Sequence, residues 1–173
     1  LRRFDGHRSF HWWRRSSSRP PVQTLPTARG AHSIQTDPSN NFAFVPHIAG
    51  RGPNAIFQFH FDENTGTLSP NDPPRVSPEE ELGPRHFCFH PNGNTIYFSN
   101  EQGCSVTAYR FDRTAGTLSA FQTISTLPQG YQGDNTCAQI QISPKGRFLY
   151  APNRGHNSIA GFTVDQVTDE LAP

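Results

Sequence analysis

The sequence predicts an all-β fold and, within that class, a β-propeller. Composition is the first indication, because 16 Pro, 14 Gly and 14 Phe in 173 residues, with Lys145 as the single lysine, favour short strands and tight turns. An internal repeat is the second. Three segments align without gaps around the turn prolines Pro38, Pro91 and Pro144, which follow one another at a spacing of 53 residues. A fixed period of this size is typical of propellers and solenoids.

Each repeat has the size of one propeller blade. A hairpin around the proline turn is followed by a further strand and turn, which end in the related strings FDENTGTL, FDRTAGTL and VDQVTDEL. We therefore expect about four strands in each repeat. Alternating apolar residues such as Phe87 and Phe89 give each sheet one face that has to pack against the next blade.

Three blades do not close a ring. Propellers usually have four blades or more, and seven blades at this period need about 371 residues. We therefore interpret residues 30–173 as about three blades of a longer propeller, in preference to the alternative that the chain completes a ring with other copies of itself. An incomplete ring is expected to expose apolar blade faces.

Residues 1–29 match nothing downstream. Six of the 15 basic residues lie within residues 1–20, together with a single acidic one. We expect a disordered terminal segment, because charge runs at chain ends are usually solvated. The remaining residues are mildly acidic, which argues against nucleic acid as a partner. No apolar stretch reaches the roughly 20 residues of a membrane span, and an odd number of cysteines without a CxxC pair favours reduced thiols in the cytoplasm.

Charged residues at the open ends of the hairpins form the candidate site. Symmetry about each turn pairs Arg85 with Glu101, Ala138 with Arg154, and His32 with Ile48. Because equivalent positions of successive blades share one rim, the polar residues among these should gather at one mouth of the central channel. The chemically capable set is His32, Arg85, Glu101 and Arg154.

Neighbouring positions supply further candidates for substrate binding. These candidates are Asn100 and Asn153, at the adjoining equivalent position, and His156, which follows closely in the third repeat; the first repeat has His47 at the equivalent position. Arginines can bind an anion and stabilise a developing oxyanion, and a carboxylate with an imidazole can move a proton. The alternative interpretation is an ordinary cross-strand ion pair between Arg85 and Glu101, which contributes about 0.2–1 kcal/mol.

No metal site or cofactor site is indicated. His86 and His90 lie four residues apart, but the sequence shows no third ligand for them. It also contains neither a GxSxG elbow nor a phosphate-binding Walker loop.

Four motifs resemble a known family. They are AHSIQTDPSNNFAFV (31–45), GPRHFCFHPNG (83–93), SNEQGCSVTAYRFD (99–112) and LPQGYQGDNTCAQIQISPKGRFLYAPNRGHNSIAGF (127–162). Together they are similar to the bacterial 6-phosphogluconolactonases, seven-bladed propellers whose family also includes the fungal carboxymuconate lactonizing enzymes. The resemblance covers about residues 30–173, whereas residues 1–29 depart from the pattern.

The resemblance implies a metal-independent, cofactor-free enzyme with a His, an Arg, a Glu and a second Arg at the channel mouth. By motif these are His32 in AHSI, Arg85 in GPRH, Glu101 in SNEQ and Arg154 in NRGH. The implied function is hydrolysis of 6-phosphoglucono-1,5-lactone in the pentose phosphate pathway, by a cytoplasmic monomer. Either Glu101 or His32 would be the base. Two alternatives stay open, a cycloisomerase acting on a muconate-type substrate and a propeller that binds without catalysis.

Overall fold

The computed structural model describes residues 20–173, which form 13 strands in three antiparallel sheets, one for each sequence repeat. Blade one contains β1 (Gln35–Thr36), β2 (Phe42–His47), β3 (Ala55–Asp62) and β4 (Thr67–Val76). Blade two contains β5 (Pro84–Phe89), β6 (Thr95–Asn100), β7 (Ser105–Asp112) and β8 (Thr117–Ser125). Blade three contains β9 (Thr136–Cys137), β10 (Gln141–Ile142), β11 (Phe148–Arg154), β12 (Ile159–Val164) and β13 (Leu171–Ala172).

The strands of each blade follow one another in chain order, and each pairs with its sequence neighbour. Blade three differs in one detail, because its inner strand is split into β9 and β10, which both pair with β11. The inner strands β5 and β10 contact each other, so blades two and three stand side by side. This architecture confirms the predicted all-β propeller blades. No helix that could span a membrane occurs within residues 20–173.

The hairpin turns of the blades use the residues that a tight turn requires. Gly93 and Gly146 have φ angles of 76° and 69°, and Asn40 takes the same left-handed conformation in blade one with φ 56°. The carboxylate of Asp37 accepts hydrogen bonds from the backbone N–H groups of Asn41 and Phe42, both at 2.8 Å. These bonds stabilise the blade-one turn, whose place in the chain the repeat alignment predicted.

Aromatic side chains fill the space between blades one and two. Phe44 meets Phe111 edge to face with ring centroids 5.5 Å apart, and Phe87 stacks on Phe98 at 4.8 Å. A second apolar cluster joins blades two and three through Tyr97, Val106, Ile140, Leu149 and Phe162, among others. Five buried phenylalanines thus belong to one apolar cluster that spans blades one and two: Phe42, Phe44, Phe87, Phe98 and Phe111.

The segment before residue 30 is partly packed against blade one. The side-chain amide of Gln23 donates to the carbonyl of Leu68 at 2.9 Å and accepts from its N–H at 2.8 Å. Gln122, in the outer strand of blade two, binds Leu171 of blade three through the same pair of bonds, at 2.9 and 2.8 Å. Gln23 thus makes the same pair of hydrogen bonds to blade one that Gln122 of β8 makes to blade three. Residues 1–19 lie outside the described residues, and the predicted domain boundary at residue 30 stays a prediction.

Several apolar side chains of blade three face solvent. Ile159 is 67% exposed, and Tyr150 and Phe148 are 46% and 40% exposed. They lie in β11 and β12 beside the buried Leu149 and Ala151 of the blade-two interface. This is the exposed apolar blade face that the sequence predicted.

Removing an interface aromatic is expected to destabilise the protein strongly. Phe44 is fully buried between blades one and two, so Phe44→Ala should lower the free energy of unfolding by about 3–5 kcal/mol. Phe148→Ala is the matched control, with an expected cost of about 1 kcal/mol or less. Urea unfolding followed by circular dichroism measures both, and equal losses would contradict the assigned interface.

Candidate active site

A β-bulge places Arg85 in the site. His86 pairs with Ser99 and Pro84 pairs with Asn100, so Arg85 is an extra residue on the inner strand without a partner of its own. Bulges break the regular alternation of a strand and re-aim the side chain of the extra residue. The predicted direct pairing of residues 85 and 101 is therefore wrong in register.

Blade one contains the same irregularity. From Ala31 to Gln35 the inner strand advances four residues, while its partner strand goes back three, from His47 to Phe44. The predicted pairing of His32 with residue 48 is wrong, partly because of this extra residue and partly because the hairpin axis lies half a residue earlier than predicted, since Gln35 pairs with Phe44. The backbone N–H of His32 instead donates to the carbonyl of Pro46 at 3.2 Å.

Blade three repeats the shift once more. Between Cys137 and Gln141 the inner strand again has one residue more than its partner, which runs from Asn153 to Tyr150. Arg154 consequently pairs with Thr136 and not, as predicted, with residue 138. One extra residue on the inner strand is thus common to the three described blades.

The carboxylate of Glu101 joins two arginines from neighbouring blades. Its Oε2 forms an ion pair with Nε of Arg85 and a second one with Nη2 of Arg154 at 3.1 Å. The Arg85 and Glu101 side chains are 16% and 15% exposed, whereas Arg154 is 47% exposed. Two guanidiniums around one carboxylate leave an excess of one positive charge, and the more accessible Arg154 presents it to solvent.

Backbone hydrogen bonds fix Glu101 between blades two and three. Its N–H donates to the carbonyl of Gly83 at 2.7 Å, and its carbonyl accepts from the N–H of Cys137 at 3.1 Å. The carbonyl of Cys137 in turn accepts from Nη2 of Arg154 at 2.9 Å. The site therefore depends on the docking of these two blades and not on a single hairpin.

His86 joins the site, although the sequence indicated it only as a weak metal candidate. Its Nδ1 lies 2.7 Å from Nη1 of Arg85. Burial lowers the pKa of His86, the positive charge of Arg85 and the nearby His32 lower it further, and the Ala138 carbonyl and Glu101 act in the opposite direction. Adjacent residues of a regular strand point to opposite faces, so no sequence pattern predicts this contact.

The structure thus brings three of the four predicted residues into direct contact. Arg85, Glu101 and Arg154 form one charged cluster. His32 is exposed and lies close enough to His86 to affect its pKa, so it borders the cluster from blade one.

The other predicted substrate contacts have partners within the fold. Asn100 is buried, and its amide donates to the hydroxyls of Ser105 and Thr107 at 2.9 and 2.8 Å. The amide of Asn153 donates to the carbonyl of Thr126 at 2.9 Å, and Nδ1 of His156 lies 2.7 Å from the hydroxyl of Ser158. Their predicted role in substrate binding stays a prediction.

Neither histidine that the sequence offered as a weak metal candidate belongs to a metal cluster. His90 is buried between blades two and three, where its Nε2 lies 3.1 Å from the carbonyl of Gly146. His86 contacts Arg85 instead. His47, which was not a metal candidate but occupies the position equivalent to Asn100 and Asn153, is buried with its Nδ1 3.0 Å from the carbonyl of Val45. Within residues 20–173, no three His, Cys, Asp or Glu side chains are grouped to hold a metal ion.

Blades that bring a charged cluster together where β5, β6 and β11 meet define a β-propeller with a polar site. A family model described as lactonase, seven-bladed β-propeller, matches residues 12–173. The chain therefore belongs to that lactonase family, which confirms the resemblance of its motifs.

Individual relatives agree with this assignment. The chain is 33% identical over 146 residues to a 6-phosphogluconolactonase of Pectobacterium carotovorum, across 84% of this chain and 43% of that protein. It is 34% identical over 151 residues to the Klebsiella pneumoniae 6-phosphogluconolactonase, across 87% and 44%. The periplasmic gluconolactonase of Pseudomonas aeruginosa superposes with a TM-score of 0.74 at 28% identity, across 82% and 39%. The chain spans less than half the length of these relatives.

Neutralising the shared carboxylate is expected to destabilise the site. Glu101→Gln leaves two partly buried guanidiniums without their counterion, so the free energy of unfolding should fall by about 1–3 kcal/mol. The exposed Glu79 supplies the matched control, since Glu79→Gln should change stability by no more than about 0.5 kcal/mol. Chemical denaturation at neutral pH measures both. Indistinguishable effects would show that the ion pairs contribute nothing net.

Proposed function

We propose that the protein hydrolyses a sugar lactone, with 6-phosphoglucono-1,5-lactone as the preferred substrate. The observation that carries the proposal is Glu101 held between the guanidiniums of Arg85 and Arg154 in a chain of the lactonase family. Two arginines suit a phosphorylated substrate whose ester carbonyl gains negative charge during attack. The names of the relatives in Pectobacterium and Klebsiella support the same substrate.

In the proposed reaction, water adds to C1 of the lactone and the bond between C1 and the ring oxygen then breaks. The attacking water gives up a proton, the ring oxygen leaves as a hydroxyl after taking one up, and the product is the open-chain acid. Arg85 and Arg154 bind the anionic substrate and stabilise the oxyanion. Arg154 is the more accessible of the two and meets the substrate first.

Two groups are candidates for the base that takes the proton from water. Both ion pairs of Glu101 use Oε2, and Oε1 enters neither of them, so that oxygen can face a water molecule. His32 is exposed at the edge of the cluster, and its imidazole is the usual proton carrier near neutral pH. Glu101 and His32 are both candidates for the base, because none of the described contacts distinguishes between them.

The proposed function also implies a cellular compartment, an oligomeric state and a class of binding partner. We infer a monomer in the cytoplasm that acts on a small anionic substrate without nucleic acid, membrane or cofactor. Unpaired Cys88, Cys104 and Cys137 support a reducing compartment, although the Pseudomonas aeruginosa neighbour is periplasmic by name.

Substitution of the cluster tests the proposed activity. Arg85→Ala removes an oxyanion donor and should lower kcat about 10²–10³-fold, and Glu101→Gln should lower it about 10²–10⁴-fold if Glu101 is the base. Arg51→Ala, in an exposed loop, is the control and should match the wild type. Unchanged lactone hydrolysis in both site variants would end the proposal.

The same assay separates the rival functions. A muconate-type substrate that is converted to its lactone, with no hydrolysis of the sugar lactone, would indicate a cycloisomerase. Turnover of neither substrate, together with measurable binding of the sugar acid, would indicate a binding propeller.

Metal removal tests the proposed metal independence. Because the guanidiniums supply the positive charge, exhaustive dialysis against EDTA should leave kcat and KM unchanged. Loss of activity that is restored by a divalent cation would contradict this part of the proposal.

A further inference from the structure

The contact between Arg85 and His86 joins side chains that a regular strand would separate. Successive side chains point to opposite faces of a sheet, yet Nη1 of Arg85 and Nδ1 of His86 lie 2.7 Å apart. The bulge at Arg85 makes this contact possible, because it interrupts the alternation between Pro84 and His86. As the extra residue of the inner strand, Arg85 can therefore contact the side chain of the residue that follows it, His86.

The chemistry of the two groups fixes the direction of the hydrogen bond. A guanidinium has only donors, so Arg85 donates and Nδ1 of His86 accepts. A neutral imidazole has one acceptor nitrogen, and its proton is then on Nε2. A protonated imidazole has no acceptor and would place a second positive charge beside the arginine.

We propose that His86 is a positioning residue, whose unprotonated Nδ1 orients the Arg85 guanidinium toward Glu101 and the substrate carbonyl. Its consequence for catalysis rests on the proposed lactone hydrolysis. Arg85 is held on two sides, by the Glu101 carboxylate at Nε and by His86 at Nη1. This arrangement leaves Nη2 for the substrate, since neither of these contacts uses that atom.

The surroundings of His86 favour the neutral ring that the contact requires. The groups that face it are Arg85 on its own strand, His32 from blade one, Glu101 from the β6 end, and the Ala138 carbonyl from blade three. Burial and the positive charge of Arg85 lower the pKa of the ring and outweigh the opposing effects of Ala138 and Glu101. Acidification through this lowered pKa should protonate Nδ1 and release Arg85.

The tautomer of His86 is directly measurable. Nuclear magnetic resonance of the protein with ¹⁵N-labelled histidine distinguishes protonated from unprotonated ring nitrogens, and the spectrum of His86→Asn assigns the His86 signals by difference. We expect an unprotonated Nδ1 and a protonated Nε2 at neutral pH. In Arg85→Gln the pKa of His86 should rise, because a positive neighbour is removed. A proton on Nδ1, or a pKa unaffected by Arg85→Gln, would overturn the proposal.

Kinetics of two His86 variants separate positioning from simple packing. His86→Asn keeps an acceptor near the place of Nδ1 and should retain most of the activity. His86→Leu keeps bulk without an acceptor and should lower kcat about 10–100-fold, as expected for a displaced catalytic group. His60→Asn, at an exposed histidine of blade one, is the control without effect.

The pH profile supplies the readout that a structural role would not change. In the wild type, kcat should fall on the acid side as His86 is protonated, and in His86→Asn this contribution should disappear. Wild-type kcat and an unchanged profile in His86→Leu would refute the positioning role. If the wild type hydrolyses no lactone, the proposed function fails, whereas the resonance measurement still decides whether His86 accepts from Arg85.

Discussion

Burial of apolar sheet faces between neighbouring blades is the constraint on which the rest of the structure depends. A four-stranded sheet cannot cover both of its faces, so each blade needs another blade beside it. The aromatic cluster around Phe44, Phe87 and Phe98 fulfils this need between blades one and two. The candidate site follows from the same packing, because Arg85 and Arg154 come from different blades and meet at Glu101 only when those blades dock.

The docked blades also explain how a partly buried charge cluster is tolerated. Removing charges from water costs several kcal/mol per ion unless partners compensate. Glu101 lies between two cations, and the carbonyl of Cys137 takes a further donor of Arg154. His86 contacts Nη1 of Arg85. Arg85 Nε and Glu101 Oε2 are buried and form ion pairs, but their geometry is not that of a hydrogen bond, so the opposite charges provide the main compensation and hold the cluster together.

The sequence predicted the features that recur with the repeat and missed those that break its rules. The turn prolines recur every 53 residues and the phenylalanines alternate along the strands, so the blades and the aromatic core were predictable. The bulge at Arg85 adds one residue to a strand, and no residue type marks it. The symmetry axis of the predicted hairpin was also half a residue too far along the chain, because Phe89 pairs with Ile96, so the predicted partners were wrong by up to two positions. The ion pair with Glu101 survived this error because both side chains are long. Gln23 was missed because it lies before the first strand, in a segment that aligns with no repeat.

Comparison of the three blades separates the scaffold from the chemistry. Asp62, Asp112 and Asp165 each accept a backbone N–H two residues ahead, at 2.9, 2.8 and 2.8 Å, so this turn is constant. The inner-strand bulge is equally constant, but the residue 53 positions from Arg85 is His32 on one side and Ala138 on the other. Constant backbone and varied side chains at one rim allow a repeated fold to build a single asymmetric site. An asymmetric site suits the proposed phosphorylated lactone, since its phosphate and its reacting carbonyl need different partners.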